Sequence, residues 1–491
     1  MDVFDFCIVG TGVGGGSLIA NLPASSSILV IEEGNDSESK PADYESVGRE
    51  FGVRTTTSIQ LGGTSNLWHG VLAPLDPIDF IKRDYIPNSG WPISFDDLLP
   101  YYKKAGNLLN LKDYALFDES HHFVKKNTSS LCFNNSYFKN KIFQQPEPPV
   151  NFKTIIKVEQ TKRPKLNVML STSALSFSVD SDGNVNYLTV GLPNGSTQQV
   201  KAKTFIVSAG AIQTPKLLLN SNVKNINIGR YFMDHPMANL TQVAFNFPQK
   251  APIYSDMYSS LKQKIKSGIE LNPESLNKLK LPNHNFFLRP SFVKGINDES
   301  EKLKLSLLAF KDGKISIKEI FKLLLNINVI KQILTYKLSL NVTYKFADLF
   351  FITEQIPNPN SRVMLSETED RWGYKKSKVD WQLTDSDIEH MKTWFELISD
   401  ELFDVNKFSF IYDKKDFKWE ERYTSAVHHV GTCRMSETPE NGVVDKNLKV
   451  HGIKNLYVCD GSVFPTSGNV NSSFTISALA CRLAQHLSER K

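Results

Sequence analysis

Short apolar runs separated by glycine-rich turns mark three distant parts of this chain. Asp5-Phe6-Cys7-Ile8-Val9 and Ser27-Ile28-Leu29-Val30-Ile31 are continuous apolar runs of the length a strand buried on both faces presents. Between them a turn, Gly10 to Gly16, leads into a helix-like segment. A second region runs from Leu166 to Leu219. It begins with Asn167-Val168-Met169-Leu170, turns at Asp182-Gly183 and Asn194-Gly195, and ends in Thr204-Phe205-Ile206-Val207. After Ser208-Ala209-Gly210-Ala211 the pattern predicts a helix starting at Thr214-Pro215, with the proline in its first turn. The third region pairs a strand at 455–461 with a helix from about Thr475 to Leu487. A parallel sheet gathered from distant segments is usual in α/β folds, whose ligands sit at the carboxyl ends of the strands.

The intervening stretches are more mixed. Residues 254–345 read as mostly helical, and Asp348-Leu349-Phe350-Phe351-Ile352-Thr353 and Arg362-Val363-Met364-Leu365 read as strands. The expected fold is α/β. Residues 1–75, 150–235 and 420–491 form a Rossmann-type domain of discontinuous segments, and 76–149 with 236–419 form a second, substrate-facing domain with a mainly antiparallel sheet and helices. Within 315–337 apolar residues recur at helical spacing with lysines at their edge. That stripe suits either a helix packed on the core or one lying on a membrane surface.

Composition narrows the function classes. At 491 residues the chain exceeds one ordinary core. Its 57 basic and 52 acidic residues leave a net charge of +5, and no basic block is interleaved with aromatics, so nucleic acid is not an expected partner. The five cysteines, Cys7, Cys132, Cys433, Cys459 and Cys481, form no C-x-x-C pair. That argues against a metal site and a disulfide framework, and for a reducing compartment. With a strand beginning by about residue 4 and no apolar run long enough to span a bilayer, a cytoplasmic location is expected.

Chemistry enters with the first turn. Gly10, Gly12 and Gly15 fit G-x-G-x-x-G between strand and helix, and Glu32 closes the next strand, 20 residues past Gly12. The glycines allow a tight turn, backbone approach to a pyrophosphate and close helix packing, while the acid can accept ribose hydroxyls. A bound dinucleotide is expected. Near the C-terminus stand Ala426-Val427-His428-His429-Val430-Gly431-Thr432-Cys433-Arg434-Met435 and Pro465-Thr466-Ser467-Gly468-Asn469-Val470-Asn471-Ser472-Ser473.

Together with Leu61-Gly62-Gly63-Thr64-Ser65-Asn66-Leu67-Trp68, Ser89-Gly90-Trp91-Pro92, Gly210-Ala211-Ile212-Gln213-Thr214-Pro215, Gly229-Arg230-Tyr231-Phe232-Met233-Asp234-His235-Pro236 and Asp460-Gly461-Ser462-Val463-Phe464-Pro465, these motifs resemble the glucose–methanol–choline (GMC) oxidoreductases in family order. The resemblance implies FAD rather than NAD, and oxidation of an alcohol or sugar hydroxyl to a carbonyl by hydride transfer to flavin N5. It puts the catalytic base on His428, three residues before Gly431-Thr432, and the second catalytic position on Asn471, six after Pro465. Carried over to this chain, the cofactor contacts fall on Gly10, Gly12, Gly15, Glu32, Gly62, Gly63, Ser65, Trp68, Leu175, Ala209, Gly210, Asp460, Gly461 and Ser472.

Some relatives tether FAD through a histidine where this chain has Leu67, so non-covalent FAD is expected. Trp68 resembles the pyranose-oxidase-like branch. His235 is read as a domain-joining residue, His429 as structural, and Arg434 as an ion-pair partner. Glu354 and Gln355 either line the substrate cavity or serve as cap and salt bridge. A flavin-retaining lyase and the large subunit of a membrane-associated dehydrogenase remain alternatives. The electron acceptor (oxygen, quinone or protein) stays open.

Overall fold

The computed structural model describes residues 3–49, 57–128, 131, 133–250, 252–254, 257–258, 263–292, 294, 318, 325, 327, 330–331, 343–403, 408–411 and 418–489. The strand Val3–Val9 lies between Ile28–Ile31 and Thr197–Val207, parallel to both. Leu166–Met169 extends the sheet on one side and Leu456–Val458 on the other, again in parallel. These strands read as near-continuous apolar runs because helices cover the sheet, and Ile8, Val30, Phe205 and Ile206 are fully buried. The helix Val13–Asn21 packs against Ser473–Glu489 and Phe152–Lys162. The first half of Thr197–Val207 leaves this sheet and joins Val185–Gly191 and Ser173–Val179 in an antiparallel meander.

One helix boundary differs from the sequence reading. The helix expected at Thr214-Pro215 instead spans Gly210–Asn220, so Pro215 lies inside it. Gly210 takes a φ of +82°, open to glycine, and its N–H donates to Asp460 Oδ2 at 2.9 Å, which starts the helix one turn early. Pro215 brings no N–H for the Ala211 carbonyl four residues back. Thr432 Oγ1 supplies the missing donor at 2.7 Å, so the proline is tolerated.

A second sheet of eight strands is antiparallel and includes Phe138–Gln145, Pro236–Gln249, Lys264–Leu271, Asn285–Ser291 and Tyr344–Ile352. This corrects the mostly helical reading of 254–345: among the described residues there, Lys264–Leu271 and Asn285–Ser291 are strands and Pro273–Leu279 a short helix. Ile265, Ile269 and Leu271 fall on the even spacing of a strand, and the segment pairs with Phe138–Gln145 on one edge and Asn285–Ser291 on the other. Nearly all of 315–337, including its apolar stripe, lies outside the described residues. A three-stranded sheet pairs Tyr44–Gly48 in parallel with Lys375–Trp381, itself antiparallel to Arg362–Glu369.

Each large sheet has its own apolar core. Phe80, Trp91, Leu98 and Tyr102 pack into that of the parallel sheet, and Trp394, Phe395 and Ile398 into the other. Cys7, Cys433, Cys459 and Cys481 are buried free thiols, while Cys132 lies outside the described residues. Among the described residues, no helix is long and apolar enough to cross a membrane, and no group of three His, Cys, Asp or Glu could hold a metal ion.

Candidate active site

The carboxyl ends of the parallel strands gather most residues that the sequence assigned to a dinucleotide. Gly10 follows Val3–Val9 with a φ of +93°, and a Cβ there would meet the Ser208 carbonyl oxygen at 2.5 Å. Gly15 is as tightly fitted, against Gly10 O. Gly12 and Gly210 differ, since a Cβ on either would face open space. The backbone between strand and helix is therefore exposed toward the crevice, where a phosphate needs approach. Glu32 is buried, and its carboxylate accepts from Thr11 N at 3.1 Å, Thr11 Oγ1, and Gly34 N at 2.8 Å. Burial pushes its pKa up, and those three hydrogen bonds oppose the shift. The Ser208 hydroxyl is buried without a hydrogen-bond partner at the end of Thr197–Val207. These observations fit a dinucleotide.

The other assigned residues divide between the crevice and its supports. Ser65 donates to Gly62 O at 2.6 Å, and a Cβ on Gly63 would lie 2.9 Å from Gly12 Cα, so this turn sits against the first glycine loop. Trp68 donates to Val150 O at 2.8 Å and packs near Phe152. Leu175 is buried in the meander. Asp460 ties Ala209-Gly210 to the C-terminal segment by accepting from Gly210 N, from Thr214 Oγ1 at 2.6 Å and from Ser462 N at 2.8 Å. Gly461 begins the following short helical turn, and Ser472 immediately precedes Ser473–Glu489.

His428 and Asn471, 43 residues apart in sequence, meet with Asn471 Nδ2 2.8 Å from His428 Nε2. Three neighbours frame the imidazole. His235 Nδ1 lies 2.9 Å from His428 Nδ1, with the rings nearly perpendicular at 76°. Fully buried Asp234 accepts from the N–H groups of His235 at 2.6 Å, His428 at 2.9 Å and Val427 at 3.2 Å, and from Ser425 Oγ. Those bonds hold Val427, a β-branched residue, at a φ of +60°, a left-handed conformation that costs of order 1–3 kcal/mol. They turn the chain so that His428 faces Asn471. Burial pushes the His428 imidazole well below its ordinary pKa; His235 and His429 add to this, and Asp234 opposes it. His235 is lowered by burial as well. Both rings are therefore neutral near pH 7.

Several residues the sequence left as supports have defined contacts. His235, read as domain-joining, touches His428 directly. Its position beside an acid in Asp234-His235-Pro236 was the signal available. His429 lies 3.8 Å from Asp234 and against Phe232. Gln355 accepts from Asp234 N at 3.0 Å and from Trp381 Nε1 at 2.9 Å, while Glu354 forms a buried two-pronged pair with Arg83. Both are buried. Arg434 differs from expectation: its guanidinium donates to Asn88 O and lies 4.5 Å over the Tyr231 ring, rather than against a carboxylate.

The chain resembles proteins of one family. GMC oxidoreductase family models match residues 159–237 and 357–480. A fructose dehydrogenase large subunit from Gluconobacter japonicus is 23% identical over 335 residues, which make up 66% of this chain and 54% of that protein. A long-chain-alcohol oxidase, FAO4B, from Arabidopsis thaliana is 27% identical over 59% of this chain and 36% of its own length. The chain thus spans about half or less of the length of these curated relatives. Among solved structures, a pyridoxine 4-oxidase from Mesorbium loti superposes with a TM-score of 0.61 at 16% identity, covering 98% of this chain and 99% of that one. A formate oxidase variant from Aspergillus oryzae RIB40 gives 0.59 at 17% identity, covering 100% and 98%. Both likenesses are of fold. The N- and C-terminal GMC oxidoreductase models match in order, the first ending just past His235 and the second covering His428 and Asn471, so the likeness to this family takes in both parts of the site.

Proposed function

We propose that this protein is an FAD-dependent oxidoreductase that oxidises an alcohol or sugar hydroxyl to a carbonyl, with His428 as the base. Bound FAD would supply the hydride acceptor. The residues that would hold it are Gly10, Gly12, Gly15 and Glu32 in the first turn, Gly62, Gly63, Ser65 and Trp68 in the second, and Ala209, Gly210, Asp460, Gly461 and Ser472 around the last strands, with Leu175 beside them. Non-covalent attachment is the reading that Leu67 supports, because its side chain offers no nucleophile. On this reading, 1–75, 150–235 and 420–491 carry the cofactor, and 76–149 with 236–419 face the substrate.

One observation carries the proposal: His428 Nε2 and Asn471 Nδ2 are 2.8 Å apart on a neutral imidazole. A substrate hydroxyl entering there can give its proton to Nε2 while accepting from the amide, which stabilises the developing alkoxide. The test is anaerobic reduction of the bound flavin by a panel of alcohols and sugars. His428→Ala should slow it by roughly 10²–10⁴-fold, the usual worth of a positioned base. An unchanged rate removes His428 from that role.

A second reading, that the chain acts as the large subunit of a multi-subunit dehydrogenase, is favoured by its likeness to the fructose dehydrogenase large subunit. Turnover with an artificial acceptor that rises several-fold only on adding a partner subunit would support it.

A further inference from the structure

The contacts around His428 form a chain of hydrogen bonds with one end whose direction is fixed. His235 Nε2 lies 3.1 Å from the Ser467 carbonyl oxygen, and a carbonyl oxygen can only accept. His235 therefore carries its proton on Nε2, and in the neutral ring its Nδ1 is bare. That bare nitrogen is 2.9 Å from His428 Nδ1, so the proton between the rings belongs to His428. His428, neutral, is then bare at Nε2, and the remaining contact closes consistently, with Asn471 Nδ2 donating to it at 2.8 Å. Reversing any one link would set two donors or two acceptors against each other. We propose that His235 is a positioning residue that fixes the tautomer of His428, leaving Nε2 as the unprotonated nitrogen that meets the substrate hydroxyl.

This inference rests on the reading of His428 as the base and says how that base is made ready. His235 is held for the task. It is fully buried, its N–H donates to Asp234, its carbonyl accepts from Ala426 N at 3.1 Å, and both ring nitrogens are paired. The Ser467 carbonyl belongs to the same loop that carries Asn471, so one loop fixes both ends of the chain of bonds.

The proton balance is simple. The substrate O–H bond breaks and a bond to His428 Nε2 forms, and bound FAD would take up the hydride from the carbinol carbon. His428 then bears both ring protons and one positive charge. Its Nδ1–H still donates to His235, so that link keeps its direction when the charge appears, while the Asn471 amide passes from Nε2 to the substrate oxygen. Asp234, whose carboxylate favours the charged ring, lies beside it; His429 opposes, and Glu354 favours charge on His235.

The test uses holoenzyme labelled with ¹⁵N-histidine, the His428 ring signals being assigned by their loss in His428→Gln. The wild-type spectrum should show His428 protonated at Nδ1 and bare at Nε2. His235→Phe keeps a flat ring but removes the acceptor. It should populate the Nε2–H tautomer and slow flavin reduction by roughly 10²–10⁴-fold, with kcat falling and KM held. His235→Asn places a side-chain oxygen near the lost Nδ1 and should restore both the tautomer and most of the rate. A wild-type Nε2–H tautomer overturns the positioning role, as does a His235→Phe enzyme with unaltered tautomer and rate. If His235→Phe does not fold, the wild-type spectrum and His235→Asn decide. Failure of the underlying reading looks different, since it appears as undiminished flavin reduction in His428→Ala.

Discussion

Two buried polar clusters meet on the loop 465–471, and they are built in opposite ways. Ser467 and Asn471 face a cluster of imidazoles, His235 and His428, with Asp234 behind them. Thr466 and Asn469 face a cluster of carboxyls and cations. There Asp76, Asp79, Glu270 and Glu354 are set against Lys139, Lys141 and Arg83. Thr466 accepts from Trp91 Nε1 and donates to Asp79 O, while Asn469 donates to Glu270 Oε2 at 2.7 Å and to Asn283 Oδ1 at 3.0 Å. In the ionic cluster each charge is answered by an opposite charge or a hydrogen bond. In the imidazole cluster one neutral nitrogen is left to a single soft donor. The first kind of cluster resists change and fixes the loop. The second can take a proton with only the Asn471 amide changing partner. A reactive group is held in register here by an inert one next door.

Breaking the inert side should cost stability most. Arg83→Met leaves Glu354 buried and uncompensated at a pair that is nearly solvent-free, and an expected loss of about 3–5 kcal/mol should appear in urea or thermal unfolding of the holoenzyme. The double variant with Glu354→Gln removes the stranded charge and should recover much of that loss. Near-neutral behaviour of Arg83→Met would mean the ionic cluster does not anchor the loop. On the reactive side, Asn471→Ala should leave folding intact. Anaerobic flavin reduction should slow by roughly 10²–10³-fold, the worth of one donor to a developing alkoxide. A rate within error of wild type would reduce Asn471 to packing.

What could be read in advance follows the same division. The first strand, its glycines and Glu32 lie within one short unit, so local pattern shows them. The spacing of His428 before Gly431-Thr432 and of Asn471 after Pro465 marked the pair because each sits in its own short motif. The ionic cluster has no such mark. Arg83 and Glu354 are 271 residues apart and Asn469 and Glu270 are 199, so even for Glu354, read as a cavity residue or a salt bridge, nothing local names the partner. The strands Lys264–Leu271 and Asn285–Ser291 escaped for a related reason. Lys264–Leu271 pairs with the distant Phe138–Gln145 and Asn285–Ser291 with Tyr344–Ile352, contacts that local pattern does not carry. The role of His235 was hidden because its partner, His428, is 193 residues away and the orienting carbonyl belongs to a third segment.

The smallest effect is the most diagnostic of how the charged cluster balances. Four carboxyls face three cations, so one carboxyl is in excess. Burial pushes Asp79 up to about 7, with Asp76 and Glu354 adding to the rise and Arg83 opposing it. A carboxyl raised in the folded state binds its proton more tightly there than in the unfolded chain. Its contribution to stability is therefore complete below its ordinary value of 3.8 and is lost as pH rises through about 7. Asp79→Asn keeps the shape of the protonated acid and cannot ionise, and its NH2 replaces one of the two oxygens that accept from Asp76 N and Asn283 Nδ2, a cost that does not vary with pH. Below pH 3.8 the stabilities of the two proteins should run parallel. From pH 3.8 to about 7 the wild type should lose stability relative to the variant, with a slope of at most about 1.4 kcal/mol per pH unit, and the difference should level off above that. Chemical unfolding at a series of pH values measures that difference directly. Parallel pH profiles for the two proteins would show that Asp79 keeps its charge in the fold, and the ionic cluster would then carry an unbalanced negative charge beside the loop that holds Asn471.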